Sequence, residues 1–194
     1  MTWQSVGKVL VALFLVVLIA GSVAVWIIIR HGLSARQQPT AIEETFARGV
    51  RHLAMPASMR KLRNSIAPTD DVLADGRAHW ADHCATCHAN DGSGETEIGR
   101  NLYPKAPDMR QPRTQNLTDG ELFAIIKNGI RLTGMPAWGD PSGRDDADTW
   151  KLVHFIRHLP KITPAEVQQM KGMNPISPME LKEKEEEEKF LKGM

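Results

Sequence analysis

The chain's only two cysteines stand three positions apart in the stretch HWADHCATCHANDG, and a histidine follows the second at once, giving Cys84, Cys87 and His88. Four chemistries use thiols at this spacing: a structural disulfide, a redox dithiol, half a zinc site, and thioether attachment of a haem. A redox dithiol belongs at the start of a helix in a strand-rich βαβ pattern, and no strand alternation surrounds this segment. Zinc would find nitrogen and sulfur in His79, His83, Cys84, Cys87 and His88, but three ligands would come from one turn and no second knuckle follows. Cys-x-x-Cys-His is the pattern of c-type haem attachment. In that arrangement two sulfurs bond to the vinyl groups along one porphyrin edge, and the next residue carries its imidazole beneath the iron, so one helical turn serves all three.

Three helical segments must position this turn. The first runs roughly from Val72 to Ala85 and puts Gly76 and Trp80, four apart, on one face. The second opens at TDGE, where Thr118 and Glu121 make a capping box, and closes at Gly129 after LFAIIKN. The third starts near Asp145 or Asp146, carries WKLVHFIRHL, and stops at Pro160. Glycine- and proline-rich loops join them. Trp80, Trp150, Leu152, Phe155 and Ile156 are the expected core. About 90 residues with so few aromatic side chains make a thin one, and small domains of that kind lean on a disulfide, metal or cofactor.

From about Asp70 to Pro160 the sequence resembles the class I c-type cytochromes, in their membrane-anchored single-haem bacterial form. The resemblance implies an all-α, small cytochrome c fold, with crossed N- and C-terminal helices and a middle helix around one covalently attached haem c. Gly76 and Trp80 match the glycine and aromatic of the family's first helix, eight and four positions before Cys84. Leu152 and Phe155 match the apolar pair of the last helix, which crosses the first. By the same resemblance Cys84 and Cys87 carry the thioethers and His88 is the proximal iron ligand. Met135, in GMPAWG and 47 residues after His88, is the distal one. Met109, in APDMR, is the rival, although methionine also fills gaps in cores. One departure stands out: relatives carry a Gly-Pro-x-Leu loop whose proline carbonyl accepts the imidazole Nδ1 proton, and here GRNL puts Arg100 in the proline position. A carbonyl needs no proline to accept that bond, and Pro104 and Pro107 follow closely enough to stiffen the loop.

Around this domain the chain changes character. Val9 to Ile29 is 21 residues without a charge, long enough to cross a bilayer, which takes about 20. A cleaved signal peptide, with Lys8 as its basic flank and Ser22 to Ala24 as its cleavage site, has an apolar stretch of only about 7 to 15 residues. A retained anchor is the better reading. Residues 30–63 carry 7 basic against 2 acidic residues, residues 70–160 carry 10 against 14, and residues 161–194 carry 6 against 7. The expected organisation is a cytoplasmic N-terminus (1–8), an anchor (9–29), a basic juxtamembrane linker (30–69), the cytochrome domain (70–160) and a charged, helical or flexible extension (161–194). The linker shows no long apolar periodicity and reads as solvated chain with short helical turns. Its Arg48, Arg51, Arg60, Lys61 and Arg63 suit anionic lipid headgroups over residues 48–63; a neighbouring subunit is the other partner they would fit. Thr163 and Glu166 form a second capping box, and Glu180/Lys184, Glu185/Lys189 and Glu188/Lys192 support a solvated terminal helix.

The expected function is one-electron transfer by a membrane-tethered protein that is no enzyme, free-standing or within a respiratory or photosynthetic complex. Its partners are a membrane redox complex or redox protein, with no nucleic acid among them. Covalent haem ligation in the resembled family takes place outside the bacterial inner membrane, which puts residues 30–194 in the periplasm against the weak pull of the arginines after the span. Two alternatives differ in class. A haem enzyme or gas sensor would keep the distal position open or labile, with His79, His83 or Arg100 tuning a ligand, and a zinc-bound adaptor would be colourless. His154 and His158, four apart, read as solvent-facing side chains beside an apolar stripe rather than as a metal pair.

Overall fold

The computed structural model describes residues 3–32, 34–140, 142 and 146–193, and every regular element among them is helical. The chain divides into two units, Met1–Gln37 and Gln38–Met194. The first is dominated by α1, Trp3–His31, whose 29 residues are long and apolar enough to cross a membrane.

The second unit opens with α2, Ala41–Ala54, and the one-turn α3, Ala57–Arg60. The linker is therefore more ordered than its sequence suggested. Thr40 caps α2 by accepting the Glu43 N–H at 3.2 Å, and Glu43 and Glu44 in the first turn with Arg51 and His52 in the last complement the helix dipole. Polar contacts then hold the segment to the domain. Arg113 donates to Glu44 at 2.9 Å through Nη2, Tyr103 donates to Glu43 at 2.5 Å, and Thr118 donates to the Arg60 carbonyl at 2.9 Å. Asn64 donates to the Trp150 carbonyl at 2.8 Å.

Next come α4, Asp70–His79, a π-helical turn over Trp80–Cys84, and α5, Ala85–His88. The stretch read as one helix over Val72–Ala85 thus widens by a turn just before the first cysteine, a feature frequent at functional sites. Two short helices follow, α6 over Glu97–Asn101 and α7 over Pro112–Gln115. The middle helix α8, Asp119–Asn128, starts at the Thr118/Glu121 capping box and is closed by Gly129. The last crossing helix, α9, covers Asp146–His158 and is followed by a 3-10 turn over Leu159–Lys161; Asp145, the other start read from the sequence, lies outside the described residues. The Thr163/Glu166 box opens α10, Pro164–Lys171. A third box, Ser177/Glu180, opens α11, Pro178–Leu191, where Lys192 pairs with Glu188 at 3.1 Å.

The core lies where α4 crosses α9. Trp80, Leu152, Val153, Phe155, Ile156 and Leu159 are buried there, and Leu122, Phe123 and Ile126 of α8 close the other side. Trp80 and Phe155 meet with ring centroids 5.6 Å apart, and Phe123 stacks on Trp150 at 4.2 Å. Met170 of α10 has no exposed surface and joins the same cluster, so the packing continues past Pro160.

Candidate functional site

The π-helical turn and α5 put Cys84, Cys87 and His88 on consecutive turns of one helical stretch, and both cysteines are free thiols. Burial pushes the Cys84 thiol up to about 12, with the neighbouring Cys87 adding to the shift. That suppresses the thiolate on which dithiol exchange and zinc binding depend. No three His, Cys, Asp or Glu side chains among the described residues converge to hold a metal ion. His79 and His83 instead lean on each other at 4.7 Å, and His83 pairs with Asp82 at 2.9 Å.

The backbone at the end of the motif is pinned at three successive carbonyls. Thr96 Oγ1 donates to that of Cys87 at 3.2 Å, the Gly94 N–H to that of His88 at 2.9 Å, and Trp80 Nε1 to that of Ala89 at 3.0 Å. Thr96 also accepts the Gly99 N–H at 2.8 Å as the cap of α6. Sequence reasoning missed Thr96, although its place three residues before Gly99 at a helix start was a readable signal. The Trp80 ring lies 5.7 Å from that of His88 and limits its swing.

Burial drives the His88 imidazole down to about 4, which keeps it neutral, while the Pro107 carbonyl pulls the other way. Nδ1 is buried without a hydrogen-bond partner. The loop expectation therefore needs correcting: the carbonyl facing His88 comes from Pro107, and Arg100 turns to Glu95 at 3.4 Å. Arg110 fixes this Pro107 loop, its Nε and Nη2 gripping Asp108 at 2.8 and 3.0 Å while Nη1 reaches Asp91 at 3.0 Å. Met109 donates its N–H to the Gly92 carbonyl at 2.8 Å and packs against the core.

Met135 sits half-buried in the loop after α8. Gly129 makes that loop possible: its φ is +66°, and an added Cβ would come 2.6 Å from the Pro136 carbonyl carbon. The Ile130 N–H then donates to the Met135 carbonyl at 3.0 Å, and the Trp138 N–H to that of Ile126 at 3.0 Å. The Trp138 ring returns to His83, 5.2 Å away, tying the methionine loop to the turn that carries Cys84. His154 and His158 are partnered rather than solvent-facing: His154 Nε2 meets the Ile66 carbonyl at 2.7 Å, and His158 Nε2 meets Glu166 at 2.8 Å.

The donor set fits a haem c. It offers two thiols on successive turns of one helical stretch, a neutral imidazole whose buried Nδ1 lacks a partner, and a thioether on a constrained loop. Residues 71–156 match the family described as Cytochrome C oxidase, cbb3-type, subunit III. No curated protein matches the chain.

Proposed function

We propose that residues 71–156, which match a cytochrome family model, form the haem domain of a membrane-tethered carrier of one electron with a single haem c. Cys84 and Cys87 hold the haem through thioethers, His88 is its proximal ligand and Met135 its distal one. A haem so held supplies a one-electron iron couple. His88 enters neutral because burial excludes its proton, and Trp80 with the Pro107 carbonyl limits the ring's rotation. The Met135 thioether is a soft donor that favours reduced iron and raises the potential, as suits a carrier.

The observation that carries this reading is the helical stretch holding Cys84, Cys87 and His88 on successive turns, with the carbonyls of Cys87, His88 and Ala89 each occupied. By this reading α1 anchors the chain in a bacterial inner membrane with residues 30–194 in the periplasm, where the partner is a membrane redox complex or redox protein. Lipid contact over residues 48–63 rests on exposed Lys61 and Arg63, because Arg48 pairs with Glu44 and Arg60 bonds His52.

Optical spectra of the oxidised and reduced protein, made with haem-ligation machinery and compared with Met135→Ala, test it. The parent should show the near-infrared sulfur-to-iron band and bind no carbon monoxide. The variant should lose the band and gain carbon monoxide binding. An unchanged spectrum removes Met135 from the iron, and a parent that binds carbon monoxide favours a gas sensor or haem enzyme.

A further inference from the structure

The helix α2 is amphipathic the wrong way round for a soluble protein. Ile42, Phe46, Val50 and Leu53 follow one another at helical spacing and share an arc of about 80°, yet they are 84, 73, 47 and 84% exposed. The half-buried residues Glu44, Arg48 and Arg51 lie within about 60° on the opposite side. Glu44 reaches Arg113 on α7, and His52 on the flank reaches Glu121 on α8 at 3.2 Å. A surface helix ordinarily turns its apolar stripe to the core; this one docks by its charges and presents the stripe outward.

We propose that α2 lies in the interface of a lipid bilayer, with Ile42, Phe46, Val50 and Leu53 in the acyl boundary, so that the cytochrome domain is pinned to the membrane surface. The proposal rests on the reading of α1 as a membrane span. Chain continuity selects lipid as the cover. Nine residues, 32–40, separate the end of α1 from the start of α2, and they reach roughly 30 Å at full stretch. Strong segregation of apolar and charged faces, with little overall hydrophobicity, is the mark of a helix lying in the membrane plane. Exposed Arg36 before the helix, and Lys61 and Arg63 after it, add cations for anionic headgroups at both ends. A tether of roughly 40 loose residues would let the domain sample a wide shell. Pinning instead limits it to partners whose redox face stands at the bilayer surface.

The full-length holoprotein is reconstituted into phosphatidylcholine/phosphatidylglycerol vesicles after Ile42→Cys, Phe46→Cys or Leu53→Cys, each labelled with NBD. Quenching by lipid bearing a nitroxide high on its acyl chain is then measured, with the parent holoprotein as the labelling background. Val16→Cys serves as the lipid reference and Glu187→Cys as the water reference. The proposal expects quenching at 42, 46 and 53 at least threefold above that at 187. Labels at these positions that behave like the one at 187, while 16 is quenched, overturn it and leave the anchor standing. A stripe reserved for a protein subunit gives that result too, since the vesicles hold no other protein. Absence of quenching at 16 removes the anchor, and the proposal with it.

Discussion

Gly76 packs against the Lys151 carbonyl so closely that an added Cβ would lie 2.5 Å from its oxygen and 3.2 Å from Phe155 Cβ. The crossing of α4 on α9 is set by that approach, and backbone oxygen has no room to retreat from a methyl group. Gly76→Ala gains about 1 kcal/mol of helix preference but overpacks the crossing, which costs about 1–3 kcal/mol and more where backbone must shift. The net expectation is a loss of about 1–2 kcal/mol in denaturant unfolding of the holoprotein, with the haem still attached. A variant as stable as the parent would show that parting the helices costs no more than the helix preference gained.

Asp108 stands beside Pro107, and the Arg110 guanidinium that grips it holds its carboxyl at about 2, below the ordinary 3.8. A carboxyl depressed in the folded state stabilises the fold above its unfolded pKa and loses that contribution as pH falls. The contribution is therefore whole above about pH 4 and fades toward about 2. Asp108→Asn should cost about 1 kcal/mol at pH 7, as befits a partly exposed pair, and should flatten the loss of stability between about pH 4 and 2. Unfolding curves at a series of pH values check both. A parent and variant that run parallel through acid would deny Asp108 the role.

Much of the fold was legible because its signals are local. Gly76 and Trp80 share a helix face by spacing, Thr118 and Glu121 announce a helix start within four residues, and Cys84, Cys87 and His88 stand within five residues of one another. Pro107 was not legible, because 18 residues, α6 among them, separate it from His88, and nothing local says which carbonyl the chain returns. The apolar stripe of α2 was written at regular spacing, but Gly49 breaks it, and its outward orientation depends on Glu44 meeting Arg113 across 69 positions. Burial of Met170 likewise depends on where α10 packs, which its own sequence does not state.

Ala89 follows His88 with φ 62° and ψ 159°, backbone space that suits glycine. The conformation is forced because its carbonyl accepts the Trp80 indole N–H at 3.0 Å while its own N–H returns to Ala85 at 2.8 Å. Ala89→Gly releases a strain of about 1–3 kcal/mol against an unfolded-state entropy of about 0.4–1 kcal/mol. The variant should be more stable by about 1 kcal/mol with unchanged optical spectra. Thermal unfolding decides it; a lower melting temperature would mean the strain is not there.

Trp138 is 40% exposed, three residues after Met135, and its ring rests on His83 just before Cys84. On the ligation proposed above it would act on Met135 only through the loop, which makes it a positioning residue. A ring contact of this kind is worth about 0.5–1.5 kcal/mol beyond its area, and about 1.4 kcal/mol is tenfold in a population. Trp138→Ala should therefore raise the fraction of reduced protein with the Met135 sulfur off the iron by up to about tenfold. Carbon monoxide should bind the reduced variant measurably while the parent resists it, and Trp138→Phe should restore most of that resistance. A Trp138→Ala protein that loses global stability yet still excludes carbon monoxide would make the ring a packing element and nothing more, because loop tightness and fold stability would then have come apart.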